Sequence, residues 1–494
     1  MGLHARRGRR PGVRRVALQA DQSPDPEGRI GAERRGVDHN REDTVALLLA
    51  SLVATTAHSQ TTAWRNVRDS GAVADGVTDD TAAFQRAIDE CAATGGGLVQ
   101  VPTGKYLLAG SLTLHASVTL EGAWRAPATV DRYVDPESPT GAPKLSGSVL
   151  LATGGKGDEN GPPLLRLGFN ACLKGVTVFY PEQTKTNPPI PYPWTVQSAG
   201  ADNCAVVDCL FVNPYQAVDF GTYPSGRHTI RNLYAEALRR GVYVDMCLDV
   251  GRLENIHLWP FWTAADADSP VNAFRLEQGE GFILGRSDWE YISNSFAISY
   301  NVGLRFIRGR GDGPFAGGGN YLLTQSGADC CNTAVLVEET QGHSGVSFSN
   351  SQIFGDIIVA PTNSGMVRFT GCGLFGSLNG RQGVALAKLA GTGRVSFSNC
   401  HFYCIHPESR NAETMILVEG GRVAINGCVF LNNQGTAGVN SNPVPLVLEP
   451  DVRAALITDN EFYGQARIVN RARGRVVIED NLEQTDEDPF PEGQ

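Results

Sequence analysis

The chain has 494 residues, of which 41% are hydrophobic and 19% charged, with 57 glycines and a formal charge of −10. The first 59 residues hold ten arginines against seven Asp and Glu, so the remainder of the chain is more acidic than the whole. That acidity repels nucleic acid and anionic membrane surfaces over a Debye length, and it makes an anionic polymer an awkward substrate unless arginines cluster locally.

Residues 1–43 are rich in Arg, Gly and Pro with no apolar period, and read as a disordered or mis-assigned extension. Residues 44–59 contain the apolar run Val45–Ala54 followed by Ala57-His58-Ser59 and read as a signal peptide, which implies a secreted or periplasmic protein. The run is too short to cross a bilayer, and no other stretch approaches that length. From residue 64 to 108 the pattern is strand, acidic turn, short helix, glycine turn and strand. Phe84, Ala87, Ile88 and Cys91 fall at i, i+3, i+4 and i+7 and share one helix face. Thr78, Asp79 and Asp80 supply oxygens and negative charge for the unpaired amides at its start, and Gly95-Gly96-Gly97 end it.

These residues carry a family resemblance. The order Gly71-Ala72, Asp75-Gly76, Thr78-Asp79-Asp80-Thr81, then a helix, then Gly95-Gly96-Gly97, Val99, Pro102, Gly104 and Tyr106 resembles the N-terminal cap of the pectate-lyase-like superfamily. That group includes polygalacturonase-like and rhamnogalacturonase-like glycosidases, lyases, epimerases and phage tailspikes. The resemblance implies an all-β fold, a right-handed parallel β-helix (solenoid) with an N-terminal capping α-helix, over residues 60–483. Residues 484–494 form an acidic tail. The resemblance leaves the chemistry open, since one fold hosts many activities.

Downstream, Ser111–Gly122 alternates apolar and polar residues as a half-buried strand does. Two proline-rich segments, 124–163 and 181–194, interrupt the strands as long loops. Val207–Phe211, Ile230–Tyr234 and Leu253–His257 align at a step of 23, and a further step of 30 places Leu253 on Ile283 and Trp259 on Trp289. Such periods belong to solenoid coils. Strand repeats continue from Gly345 to Asn481, and Cys372, Cys400 and Cys428 recur at a step of 28, which suits thiols stacked in the solenoid interior. The cysteine count of 11 is odd, so an exported chain leaves at least one unpaired within the molecule.

Aromatic, basic and acidic residues concentrate between Tyr180 and Arg308, as a sugar-binding cleft requires. Glycosidic hydrolysis needs two carboxyls, about 5 Å apart if retaining and about 6.5–9.5 Å if inverting. Stacked coils offer such separations, which selects Asp245, Asp249, Asp288 and Glu290 as catalytic candidates with His257 as an acid–base candidate. Glu182 is a further acidic candidate, whereas Asp75, Asp79 and Asp80 belong to the cap. Trp194, Arg240, Arg252, Trp259, Trp262 and Trp289 are candidate substrate contacts. The N-T-D, G-H-G and R-I-K motifs of polygalacturonase-like enzymes do not appear in order. The leading expectation is a glycoside hydrolase acting on a plant or algal polysaccharide, with no cofactor and no metal site. A uronate lyase or epimerase is the alternative, with calcium if a lyase, and a non-catalytic glycan-binding protein is the third. Oligomeric state is left open.

Overall fold

The protein is represented by a computed structural model that describes residues 63–123, 145–264, 268–376, 385–403, 414–431, 444–463 and 465–484. The proposed extension, the signal peptide and nearly all of the acidic tail lie outside these residues. The described chain winds as a parallel β-helix: 38 strands join one continuous sheet in which each strand pairs in parallel with its counterparts on the coils above and below. Three faces recur. The first runs from Ala63–Asn66 to Arg475–Glu479, the second from Asp75–Asp79 to Leu482–Gln484, and the third from Leu112–Leu114 to Ile468–Asn470.

The cap forms because its sequence satisfies its own ends. The helix Thr81–Ala92 buries Phe84, Ala87, Ile88 and Cys91 on the first coil, which closes strand edges and apolar interior that would otherwise invite association. Its capping differs in detail from the expectation. Asp79 accepts the Thr81 amide at 3.0 Å, whereas Asp80 turns back to accept the amides of Val73 and Ala74 at 2.7 and 3.1 Å. The three glycines after the helix all have positive φ, and a side chain on Gly97 would run into the Ala63 carbonyl.

Inside the coils, equivalent residues stack in columns at the inter-strand spacing of ~4.8 Å. Phe348, Phe369 and Phe397 stack with ring centroids 4.9 and 5.0 Å apart, and Phe402, Phe430 and Phe462 at 4.7 Å. The corner between the first and second faces is a two-residue device. A left-handed residue (Asn294, Gln325, Asn350, Asn399, Asp459, Asp480) reverses the chain, which favours Asn, Asp and Gly. The next residue points inward and accepts an amide from the preceding coil: Ser295 to Ser326 at 3.1 Å, Ser326 to Ser351 at 3.2 Å, Cys428 to Asn460 at 3.0 Å, Asn460 to Asn481 at 3.1 Å. Cys372, Cys400 and Cys428 occupy this ladder, fully buried, and no disulfide joins any two described cysteines.

Two registers differ from the alignment made on sequence. Ile230 pairs with Val206 rather than Val207, a one-residue slip that exchanges inward and outward side chains. Leu253 pairs with Ile292, not Ile283. The cause is an insertion between Leu258 and Glu280 containing a second helix, Pro270–Gln278, with Ser269 as its N-cap and Pro270 at its first position. Arg275 pins this helix to the solenoid through a buried ion pair with Glu236 at 2.9 Å.

Candidate functional site

The third face alternates strictly where it matters. Leu165, Val196, Val218, Val242, Phe282 and Leu304 are paired from coil to coil and point into the core. The outward positions form two columns. One carries Arg166, Gln197, Asp219, Tyr243, Ile283 and Arg305 in register, and the other carries Trp194, Gln216, Arg240 and Glu280. These side chains floor a cleft of about 680 Å³. Its walls are the loops carrying Glu159–Pro162, Thr222–Tyr223 and Ile307–Arg310. Four arginines line it, against two glutamates.

The walls are tied to the floor by hydrogen bonds. The Gln216 amide donates to the Glu159 carbonyl at 2.9 Å. Buried Asp219 accepts from Gln197 Nε2 at 2.7 Å and from the amides of Gly221 and Thr222 at 2.9 and 2.7 Å, which fixes the turn carrying Thr222 and Tyr223. Asp245 is the hub of the third wall. It accepts the Tyr243 hydroxyl at 2.9 Å and the amides of Met246, Arg286 and Arg310 at 2.8, 2.7 and 2.9 Å. The Tyr243 ring lies along the floor beside Gly221, where an added Cβ would stand 2.6 Å from it. Trp194 stacks with that ring at 6.5 Å, and the Arg310 guanidinium sits 4.8 Å from its centroid. Burial, then the Asp245 charge, push the Tyr243 phenol well above its ordinary pKa, with Arg310 opposing. At neutral pH the phenol therefore keeps its proton.

The arginines fall into two kinds. Arg305 is committed to Glu280 at 2.5 Å and to Glu338 at 2.8 Å. Arg240 donates to Gln216 at 2.7 Å and lies 3.9 Å from Glu280, which Arg239 also approaches at 3.3 Å. Among the described residues the Arg310 guanidinium reaches the Thr222 hydroxyl, at 3.3 Å, and the Tyr243 ring, and no carboxylate. Arg166 has no hydrogen-bond or ion-pair partner among the described residues.

Of the residues selected on sequence, Trp194 and Arg240 line this cleft and Asp245 lies directly behind Tyr243. The others lie elsewhere. Asp249 is exposed, accepts the Val250 amide and faces Arg227 at 3.6 Å, while Arg252 is an exposed residue bonded to the Val250 carbonyl. Asp288 pairs with Arg286, and Trp289 is exposed beside Tyr291 on the first face. Glu290 is sealed in the interior against His228 at 3.0 Å, so it cannot meet a substrate. His257 and Trp259 stack outside the second face with Tyr234 and Phe296, and Trp262 is buried in the adjoining apolar cluster. Burial lowers the His257 pKa to about 4. Glu182 is taken up by Lys156 at 2.6 Å and the Tyr192 hydroxyl at 2.8 Å. The four carboxyls selected on sequence therefore do not assemble into a facing pair. Arg166, Gln197, Tyr243, Glu280, Arg305 and Arg310 escaped notice, although the strands Trp194–Ser198, Gln216–Phe220 and Arg240–Val244 show large polar residues at alternate positions.

A calcium ion needs six to eight oxygen ligands. Among the described residues no three His, Cys, Asp or Glu side chains converge as a metal site requires, and of the cleft's two carboxylates Glu280 is occupied by arginines. The cleft's residues do not fit that ion.

Residues 64–135 match the family described as rhamnogalacturonase A/epimerase, pectate lyase-like. Mannuronan C5-epimerase AlgE5 of Azotobacter vinelandii is 46% identical over 77 residues, covering 14% of this chain and 8% of that protein. Alginate lyase 7 of the same bacterium is 38% identical over 103 residues, covering 19% of this chain and 11% of that protein. The matches thus span only about a tenth of these relatives. The solved A-module of the A. vinelandii mannuronan C-5 epimerase AlgE4 aligns with 86% of this chain and 100% of its own, at 13% identity and a TM-score of 0.44.

Proposed function

We propose that this pectate-lyase-like β-helix protein acts on a polysaccharide of uronic acids, as a lyase or C5-epimerase, in the arginine-lined cleft of its third face. The observation that carries the reading is the lining itself: four arginines converge in one cleft of a chain whose net charge is −10. Both reactions begin by removing the proton on the carbon next to the sugar's carboxylate. The negative charge that develops spreads onto that carboxylate, and a guanidinium aimed at it is the group that stabilises it, with a fork geometry matching two oxygens. Arg310, without a carboxylate partner among the described residues and set over the Tyr243 ring, is assigned that contact. Tyr243, whose hydroxyl donates to buried Asp245, offers its ring to the sugar face and holds Arg310 over the floor. Glu159, the second carboxylate on the cleft surface, is assigned to accept the first proton. The named relatives, a mannuronan epimerase and an alginate lyase, support the same substrate class.

Hydrolysis, the leading expectation from sequence, finds less support. It needs two carboxyls facing one another across the bond, and here Glu280 is held by Arg305, Arg240 and Arg239. The test is incubation of the protein with polymannuronate and polygalacturonate in heavy water. Deuterium entering at C5 marks an epimerase and a 4,5-unsaturated product marks a lyase; either supports the reading and is expected to vanish in Arg310→Gln. New saturated reducing ends without deuterium would establish a hydrolase, and binding with neither change would establish a glycan-binding protein.

A further inference from the structure

Resting on that reading, we infer that Arg166 and Arg310 form a two-point ruler that grips carboxylates two or three sugars apart, so the cleft selects acidic chains longer than a disaccharide. The cleft contains four guanidiniums, but two are already engaged. Arg305 is bracketed by Glu280 and Glu338, and Arg240 is shared between Gln216 and Glu280. To bind a substrate carboxylate either would have to release a protein carboxylate or amide already in place. Arg166 and Arg310 have none to release.

Their separation comes from the register. Arg166 pairs with Gln197, Gln197 with Asp219, and Asp219 with Tyr243, so Tyr243 stands three coils from Arg166 in the same column. Arg310 lies over the Tyr243 ring and touches Thr222, which succeeds the strand one coil nearer. Its guanidinium is therefore two to three coil steps from Arg166, ~10–14 Å along the axis. A pyranose linked through O1 and O4 is roughly as long as one coil is thick. Adjacent sugars cannot reach both arginines at once; the first and third, or first and fourth, can. Between the two points the floor is Gln197, Asp219 and Tyr243, with Trp194 stacked on the tyrosine, a neutral and aromatic stretch suited to sugar faces and hydroxyls because the Asp219 carboxylate is buried under the turn it holds. Arg310 is the point over the Tyr243 ring, and Arg166 is the distant one.

The experiment is binding, by calorimetry, of oligouronates from disaccharide to pentasaccharide to the wild type, Arg166→Gln and Arg310→Gln, with neutral oligosaccharides of equal length as controls. Loss of one charge-assisted contact should weaken binding about tenfold to a hundredfold. Arg166→Gln is expected to show that loss for the tetrasaccharide and longer chains and none for the disaccharide. Arg310→Gln is expected to weaken every length. If the wild type binds acidic oligomers but Arg166→Gln weakens all lengths equally, or none, the ruler is overturned while the proposed function stands. If the wild type prefers the neutral oligomers or binds no acidic one, both fall. Circular dichroism of both variants, expected to match the wild type because neither arginine is buried, excludes misfolding as the cause.

Discussion

Replacing Glu290 by Gln should destabilise the solenoid without touching the cleft. Glu290 lies inside the coil, its Oε1 3.0 Å from His228 Nε2 and its Oε2 accepting from Ser287 at 3.1 Å. His228 Nδ1 faces the Ser225 carbonyl at 2.9 Å, an acceptor only, so that nitrogen must carry a proton. Nε2 faces a carboxylate and carries one too, which makes the buried ring an imidazolium. Burial opposes that charge, but Glu290 outweighs it with help from Cys247, and the His228 pKa stands well above its ordinary 6.5. Removing one member of such a buried pair costs about 3–5 kcal/mol. The amide of Gln can still accept from Nε2, so the lower end, about 3 kcal/mol, is expected. Because solenoid stability is a sum over neighbouring coils, the loss should concentrate near the site. Hydrogen exchange in the strands that pair with Ser287–Ser293, containing Gly251 and Tyr321, is the assay. A group whose folded pKa is raised stabilises fully below its unfolded pKa and loses that contribution as pH rises through the folded value. The difference between wild type and variant should therefore be largest near and below pH 6.5 and shrink in alkali. A loss under about 1 kcal/mol, or one that grows with pH, would refute the imidazolium pair. A fall in turnover with unchanged protection would return Glu290 to catalysis.

Asp245→Asn should lower kcat more than it raises KM, because each Asp245 oxygen holds two of the four donors and the pair on the replaced oxygen is left facing an amide N–H. That costs about 1–3 kcal/mol at the hub and loosens both Tyr243 and the backbone of Arg310. Asp249→Asn, on the surface, serves as the control and should leave both constants unchanged. His257 is neutral when folded, with a pKa lowered by burial to about 4, so its contribution is present above pH 6.5 and is lost as the solution is acidified towards pH 4. His257→Phe should flatten the stability curve over that window and leave the pH dependence of turnover unaltered. Denaturant midpoints across pH read the first, and initial rates read the second.

The cap was legible in sequence because its chemistry is local: an acidic turn, one apolar helix face and three glycines whose backbone no other residue adopts cheaply. The stack of Cys372, Cys400 and Cys428 was legible for the same reason, since each rung needs only a left-handed residue followed by a small one. The cleft was not, because it is a property of register. Its floor depends on which side chains of six strands share a column, and the helix Pro270–Gln278 lengthens one coil so that Leu253 appears to align with Ile283. With that alignment the carboxylates at strand ends stood out, and Asp245 was chosen over Tyr243 two residues earlier. Strand ends are where the chain turns, and a carboxylate there collects amides, as Asp219 and Asp245 both do. The overall acidity misled in a parallel way. A charge of −10 describes the surface averaged over the molecule, but screening confines each charge to about 8 Å in physiological salt. A polymer lying in the cleft is within that distance of Arg166 and Arg310 and beyond it from most of the acidic exterior. The local count decides what the cleft attracts, and an acidic protein can hold an anionic chain.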